Sequence, residues 1–209
     1  MTDEHRFILP KVRLEALVDG VFAIAMTILV LEVRIPELQD PRSRTELADA
    51  LRHAWPTVAA YLFSFLMLGL FWVWHHRLAA KLRQLDSLLI TVSLLFLATV
   101  SFFPFAAGLL GRYMGNRVSL MVYLPVVAMI LVLQVLFYGL AMRRGLLHED
   151  LSPAEVLAPH RRNLRGCFIF FVANLPNCLR FGWTALAICG VLATFFGILL
   201  RRARLPRPA

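Results

Sequence analysis

The sequence has few charged residues and few cysteines. Charged side chains make up 17% of the 209 residues, against about a quarter in an ordinary soluble domain. Hydrophobic residues reach 59%, and the mean hydropathy is +0.70. One soluble core of this size cannot bury so much apolar surface, so lipid has to cover the rest. The three cysteines are odd in number and lie in apolar stretches, which excludes a disulfide framework. The composition therefore excludes a soluble enzyme, a disordered protein and a secreted disulfide scaffold.

The sequence also lacks the motifs on which most enzymes depend. It has no glycine-rich phosphate loop, no nucleophile elbow and no paired catalytic carboxylates, so we expect neither an enzyme nor a cofactor. Acidic residues are scarce too, with 13 Asp and Glu against 22 Lys and Arg and a net charge of +9. Because these charges lie between apolar runs, they indicate membrane orientation and contact with anionic lipids, not binding to nucleic acid.

Six apolar runs are present, most of them long enough to cross a bilayer. A helix needs about 20 residues for the ~30 Å hydrocarbon core, and these runs do not alternate in polarity as barrel strands do. We therefore predict an all-α integral membrane protein with six transmembrane helices in a single domain over residues 1–209. The predicted spans are 14–35, 55–75, 87–110, 118–141, 166–181 and 182–200.

Several residues predict where these helices begin. Trp55-Pro56 is expected to open the second span, because proline suits a first helical turn. Asp86 is the predicted N-cap of the third span. The run Ser152-Pro-Ala-Glu155 predicts a short cytoplasmic helix. The apolar stretch 166–200 is too long for one span and has turn formers in its middle, so we divide it in two.

Lysine and arginine are distributed unequally between the two predicted sides. With six spans, 15 of them fall on the side of both termini and 7 on the other. The positive-inside rule therefore places both termini in the cytoplasm. A five-span chain would export the arginine-rich tail and remove this asymmetry.

The first predicted span is the most informative segment. On a wheel at 100° per residue, a stripe of small residues lies beside an arc of mostly apolar ones. The small stripe comprises Ala16, Gly20, Ala23 and Thr27, and the adjoining arc comprises Arg13, Leu17, Ile24, Ile28, Leu31 and Ile35. The small residues allow another helix to approach closely. Asp19 lies elsewhere on the wheel, and a carboxylate within a span needs a partner. It marks either a functional element or a structural ion pair near the interface.

This segment resembles the first-span signature of the transmembrane protein 175 family. The family comprises potassium channels of animal endosomes and lysosomes, with one-repeat homologues in bacteria and archaea. Its pattern is R-x-x-x-F-S-D-G, followed by A-I-x-x-T and a run ending in L-E. The matching residues are Arg13, Asp19, Gly20, Ala23, Ile24, Thr27, Leu31 and Glu32. Leu17 and Val18 replace the family's Phe and Ser. Residues 71–78 and 101–105 resemble the second and third spans, and Ser93 stands where an asparagine is expected.

The resemblance implies a tetrameric, potassium-selective channel whose central pore is lined by four copies of the first helix. A ring of Ile24 side chains is the implied constriction, and Ile28 and Leu31 form further rings outward. Such apolar rings gate by excluding water, and the chain contains no carbonyl filter such as Thr-Val-Gly-Tyr-Gly. Thr27 is implied to offer hydroxyl or carbonyl oxygen to a passing ion. Alternatively, its hydroxyl bonds the Ala23 carbonyl within the helix.

A set of polar residues is implied to support the first helix. This polar network comprises Arg13, Asp19, Gly20, His75 and His76. We expect His75 or His76 to partner Asp19, directly or through Arg13. The adjacent histidines point about 100° apart on a helix and cannot chelate one ion together, so we expect no metal site.

Three functions follow from these observations. The main hypothesis is a passive potassium-selective cation channel in the inner membrane of a prokaryotic cell. The alternative is a proton channel or proton-coupled transporter that uses Asp19 and the second-span histidines as a relay. A membrane scaffold without permeation is the third. A carrier would show repeat symmetry and broken helices at matching positions, and the sequence shows neither.

Overall fold

The computed structural model describes residues 10–34, 37–113 and 115–180. Over these residues the chain forms five α-helices. They are α1 Lys11–Ile28, α2 Arg44–Ala79, α3 Ser87–Arg112, α4 Arg117–Arg143 and α5 Pro153–Arg180, and a 3₁₀ turn over Leu29–Glu32 extends α1. The first four, with α1 taken through its 3₁₀ turn, are long and apolar enough to cross a membrane. The predicted all-helical, multi-span class is confirmed for this part of the chain.

Helix α2 begins earlier than predicted. It runs for 36 residues from Arg44, so that Pro56 lies inside it, and the expectation that Trp55-Pro56 opens the helix is wrong. The stronger signal lies upstream, where the Ser43 hydroxyl accepts a hydrogen bond from the Glu46 N–H at 3.2 Å. Pro56 removes one hydrogen bond from the long helix, and such a proline is tolerated in a membrane span because neighbouring helices satisfy the freed group.

The two other predicted helix starts are confirmed. Asp86 caps α3, because its carboxylate accepts the Leu89 N–H at 2.8 Å. Ser152 and Glu155 form a reciprocal capping box at α5: the Ser152 hydroxyl accepts the Glu155 N–H at 3.3 Å, and the Glu155 carboxylate accepts the Ser152 N–H at 2.9 Å. These hydrogen bonds lower the pKa of Glu155 below its ordinary value.

Helix α5 joins two elements that the sequence was expected to separate. The predicted short cytoplasmic helix and the predicted span 166–181 form one continuous 28-residue helix. Pro159 lies between them and removes one backbone hydrogen-bond donor, but the helix continues through it. The flanking residues include several good helix formers, among them Leu157, Ala158, Arg161 and Arg162. The predicted sixth span, 182–200, lies outside the described residues.

Helices α3 and α4 form the centre of the bundle, and α1 and α2 pack on α3. Aromatic rings fill the junctions: Phe103 lies 6.5 Å from Phe71 on α2 and 5.7 Å from Tyr123 on α4, measured between ring centroids. The buried Gln134 amide donates to the Phe71 carbonyl at 2.8 Å. Since lipid tails are as apolar as the side chains, such close packing and interhelical hydrogen bonds hold the bundle together.

The α2–α3 and α4–α5 connections meet at one end of the bundle. The Arg83 N–H donates to the Leu146 carbonyl at 2.8 Å, and the His148 N–H donates to the Lys81 carbonyl at 3.1 Å. Ion pairs join Arg83 to Glu149 and Arg144 to Asp86. Both basic connections therefore lie on the same side of the bundle, as expected from the unequal distribution of lysine and arginine between the two predicted sides.

Candidate pore helix and its polar support

Helix α1 has one face turned toward the rest of the subunit. Its buried residues recur every three or four positions, as the period of a helix packed on one side requires. They are Leu14, Val18, Phe22 and Ala25, continued by Leu29 of the 3₁₀ turn. The Phe22 ring lies 5.8 Å from that of Phe96 on α3.

The opposite face of α1 is open. Ile24 is 60% exposed, Ile28 41% and Leu31 72%. The small residues of the predicted stripe are exposed as well, and no atom lies within 4 Å of the position a Cβ on Gly20 would take. All of the predicted constriction residues therefore lie on one apolar face that the described part of the subunit does not cover.

Thr27 lies on this exposed face. Its hydroxyl donates to the Ile24 carbonyl at 2.8 Å, one position nearer than the Ala23 carbonyl considered from the sequence. A hydroxyl that donates one hydrogen bond keeps its oxygen lone pairs as acceptors. The side chain can therefore bond within its helix and still present oxygen to a cation.

Asp19 is held by a tryptophan. The indole Nε1–H of Trp72 on α2 donates to Asp19 Oδ1 at 2.8 Å. Neither His75 nor His76 forms a hydrogen bond or ion pair with Asp19 in the described structure, and the Arg13 side chain is exposed there without a polar partner. The expected histidine partnership is therefore wrong, although the helix that supplies the partner is the expected one.

Helical spacing explains why the histidines fail to reach Asp19. His75 is buried on another face of α2, with its ring stacked 4.6 Å from Phe96 and 4.9 Å from Phe137. His76, four residues after Trp72, lies on the tryptophan's face, and its ring is 5.8 Å from the indole. The sequence feature that could have identified Trp72 as the partner of Asp19 is its indole N–H, a hydrogen-bond donor on the same face of α2 as His76.

The start of α1 is fixed by a lysine. The Lys11 ammonium donates to the Leu82 carbonyl at 2.8 Å in the turn after α2, and it pairs with Glu15 at 3.7 Å. A narrow cleft lies between these groups, Asp19 and the two histidines. Within the described residues no three His, Cys, Asp or Glu side chains come together to bind a metal.

The other end of α1 contacts α3 through Glu32, which sequence reasoning did not single out for a role. Its carboxylate lies against Gly108 and pairs with Arg112 at 3.7 Å. A cavity of about 260 Å³ opens beside this pair, and Leu31 and Arg34 also line it. Only the tertiary approach of α1 and α3 brings these residues together.

Removing the indole N–H tests the support of Asp19. We expect Trp72→Phe to lower the free energy of unfolding by about 1–2 kcal/mol, because a hydrogen bond to a charged group is lost while most of the ring remains. Trp74→Phe is the control, since Trp74 lies on another face of α2. Thermal unfolding of both variants in detergent measures the difference, and equal losses would contradict the assigned role.

Together, the bundle and its open apolar helix define a multi-span, all-helical membrane protein. The family model for the endosomal/lysosomal potassium channel TMEM175 matches residues 13–104. A potassium channel of Streptomyces collinus is 34% identical over 88% of this chain and 90% of its own length. The chain belongs to the TMEM175 family. Its relatives are ion channels, and the expectation that it is not an enzyme is confirmed.

Two further relatives show how far the similarity extends. The crystal structure of a lysosomal potassium-selective channel TMEM175 homologue from Chamaesiphon minutus superposes with a TM-score of 0.71 at 29% identity, covering 93% of this chain and 98% of that one. The endosomal/lysosomal proton channel TMEM175 of Gallus gallus is 30% identical over 83% of this chain, which corresponds to 35% of the chicken protein.

Proposed function

We propose that this chain is a potassium-selective cation channel formed by a homotetramer, with each subunit a single six-span domain over residues 1–209. Four copies of α1 line the central pore. The observation that carries the proposal is the uncovered apolar face of α1, which presents Ile24, Ile28 and Leu31. The potassium channel named in Streptomyces collinus supports the same assignment.

The mechanism follows from rings of branched apolar side chains. Ile24 forms the narrowest ring, and Ile28 and Leu31 extend the apolar wall outward. A narrow apolar pore excludes bulk water, so an ion has to shed part of its hydration shell to pass. Potassium holds its water less tightly than sodium does and therefore crosses more easily. No carbonyl filter is needed for this selection.

Thr27 contributes oxygen beside the constriction in this mechanism. Thr27→Val keeps the side-chain size but removes the hydroxyl, so we expect potassium to lose more stabilisation than sodium. The loss is about 1 kcal/mol, which lowers the permeability ratio by tenfold at most. Reversal potentials in mixed potassium and sodium measure it. Identical reversal potentials for variant and parent would contradict a role in selectivity. They would mean that the hydroxyl only forms its hydrogen bond with the Ile24 carbonyl.

A proton channel is the second candidate function. The chicken relative is named a proton channel, and His75 is buried with its Nδ1 unpaired beside the first helix. Purified protein in liposomes with a potassium gradient and an internal pH dye separates the two. Potassium flux without acidification supports the potassium channel, whereas proton flux without potassium flux supports the alternative.

The membrane environment completes the proposal. We place the protein in a prokaryotic inner membrane with both termini cytoplasmic, supported by the excess of Lys and Arg on that side. Arg161, Arg162 and Arg165 are exposed on α5 just before the exposed Phe168 and Ile169. This order suits contact with anionic headgroups followed by acyl chains. Mass measurement of the detergent-solubilised complex tests the tetramer, and a monomer would overturn the pore.

A further inference from the structure

The outer end of α1 changes its helical form. After Ile28 the helix tightens into the 3₁₀ turn Leu29–Glu32, which closes with a hydrogen bond from the Val33 N–H to the Val30 carbonyl at 3.0 Å. A 3₁₀ turn has three residues per turn instead of 3.6, so it rotates each side chain farther than an α-helix would. The turn buries Leu29 and leaves Leu31 exposed. The direction of Leu31 therefore depends on how this turn is held.

Glu32, the last residue of the turn, is seated directly on α3. A Cβ built on Gly108 would overlap Cδ and Oε2 of Glu32 and would lie 2.7 Å from its Cγ. The Glu32 side chain thus occupies the space that any other residue at position 108 would fill. Glycine at this position leaves room for Glu32 where it lies, and the backbone conformation does not require it, since residue 108 is helical.

Arg112 lies one turn further along α3 and also contacts the Glu32 carboxylate. Gly108 and Arg112 together form the Glu32 seat, the surface of α3 on which this side chain rests. Its Nη2 is 3.7 Å from Glu32 Oε2. Both side chains are partly exposed, so the ion pair by itself contributes little. The Glu32 carboxylate is therefore held by two contacts on α3, with Gly108 and with Arg112, which lie four residues apart. The seat therefore determines a direction more than it adds stability.

We propose that Glu32 is a positioning residue of the pore: its carboxylate, seated on Gly108 and paired with Arg112, holds the 3₁₀ turn that directs Leu31 toward the pore axis. The inference rests on the proposed function, in which Leu31 forms the outer apolar ring. Loss of the seat lets the turn relax, and Leu31 then takes other directions.

A double-mutant cycle tests this proposal. Gly108→Ala displaces Glu32, and the displacement is tolerated because the overlapping atoms are the end of a flexible side chain. Glu32→Ala removes the seated group and also the overlap. If both act through the seat, the double variant Gly108→Ala/Glu32→Ala behaves like Glu32→Ala alone. Gly69→Ala is the matched control, because its added Cβ would meet Met26 Cε at an ordinary 3.6 Å.

The readout is the direction of residue 31 itself. Leu31→Cys is introduced into a chain whose three native cysteines are replaced by serine, and the rate of modification by a water-soluble thiol reagent is measured in liposomes. We expect Gly108→Ala and Glu32→Ala each to change the rate by about two- to fivefold, the scale of a partly exposed ion pair. Glu32→Gln keeps the seat but loses the charge, so its change should be smaller. The control leaves the rate unchanged.

Global unfolding is measured alongside to separate positioning from stability. The unfolding midpoint of the Glu32 and Gly108 variants should stay close to that of the parent while the modification rate changes. Unchanged rates in both single variants, or effects that add in the double variant, would overturn the proposal. If the pore assignment itself is wrong, the result is different. Ile24→Asn then leaves the ion flux unchanged, whereas the Glu32 and Gly108 variants still change the modification rate of residue 31.

Discussion

Replacing Ile24 with asparagine should raise cation flux and reduce the discrimination between potassium and sodium. In the proposed tetramer, four amides at the Ile24 ring would hydrate the proposed constriction and supply oxygen ligands to either ion, so the dehydration barrier would fall for both. A barrier lowered by about 1.4 kcal/mol corresponds to a tenfold rise in rate. Flux from liposomes and reversal potentials in mixed potassium and sodium measure the two effects.

The matched control for this experiment lies one turn outward. Ile28→Asn changes the same side chain on the same exposed face of α1, and we expect the same direction with a smaller magnitude. An unchanged flux in Ile24→Asn with a raised flux in Ile28→Asn would move the constriction outward by one turn. If the ion flux is unchanged in both variants, the proposal that α1 lines the pore is wrong.

Replacing Phe103 with alanine should destabilise the subunit by about 3–5 kcal/mol, the usual loss for a buried phenylalanine. Phe103 is fully buried and its ring joins α3 to both α2 and α4. The truncation leaves a cavity where three helices meet, and lipid cannot fill it. Chemical unfolding in mixed detergent micelles measures the change.

The adjacent residue provides the control for that prediction. Phe102 is 48% exposed and points away from the helix junction, so Phe102→Ala in the isolated subunit should cost about 1 kcal/mol or less. Both variants remove the same atoms from neighbouring positions on one helix. Equal destabilisation by the two would contradict the assignment of Phe103 to the core.

Local signals in the sequence predicted the features that depend on a few neighbouring residues. The caps at Asp86 and Ser152 were found because a cap is a contact between residues three apart. Helical periodicity grouped Ile24 and Ile28 on one arc of α1, and the resemblance to the family implied that this arc faces the pore. In each case the interacting groups lie within one or two helical turns.

Features that depend on distant contacts were missed. The contact of Glu32 with Gly108 joins residues 76 positions apart. The sequence around a glycine in an apolar run does not indicate which distant side chain packs against it. The contact of Trp72 with Asp19 joins residues 53 positions apart, and the sequence alone does not show that an indole N–H, as good a donor as an imidazole, lies nearer than the histidines. The predicted start of α2 at Trp55-Pro56 is wrong because the helix begins after the Ser43 cap, outside the apolar run from which the span was predicted.

The length of α2 has a consequence for the part of the protein that lies outside the lipid. Its 36 residues extend about 54 Å, against a hydrocarbon thickness of about 30 Å. Fitting the whole helix inside would require a tilt of roughly 56°, beyond the usual limit of about 40°. One end therefore rises above the lipid, and its first turns, with Arg44, Glu46 and Asp49, suit water. Antibodies or inserted tags can therefore reach this raised end without entering the bilayer.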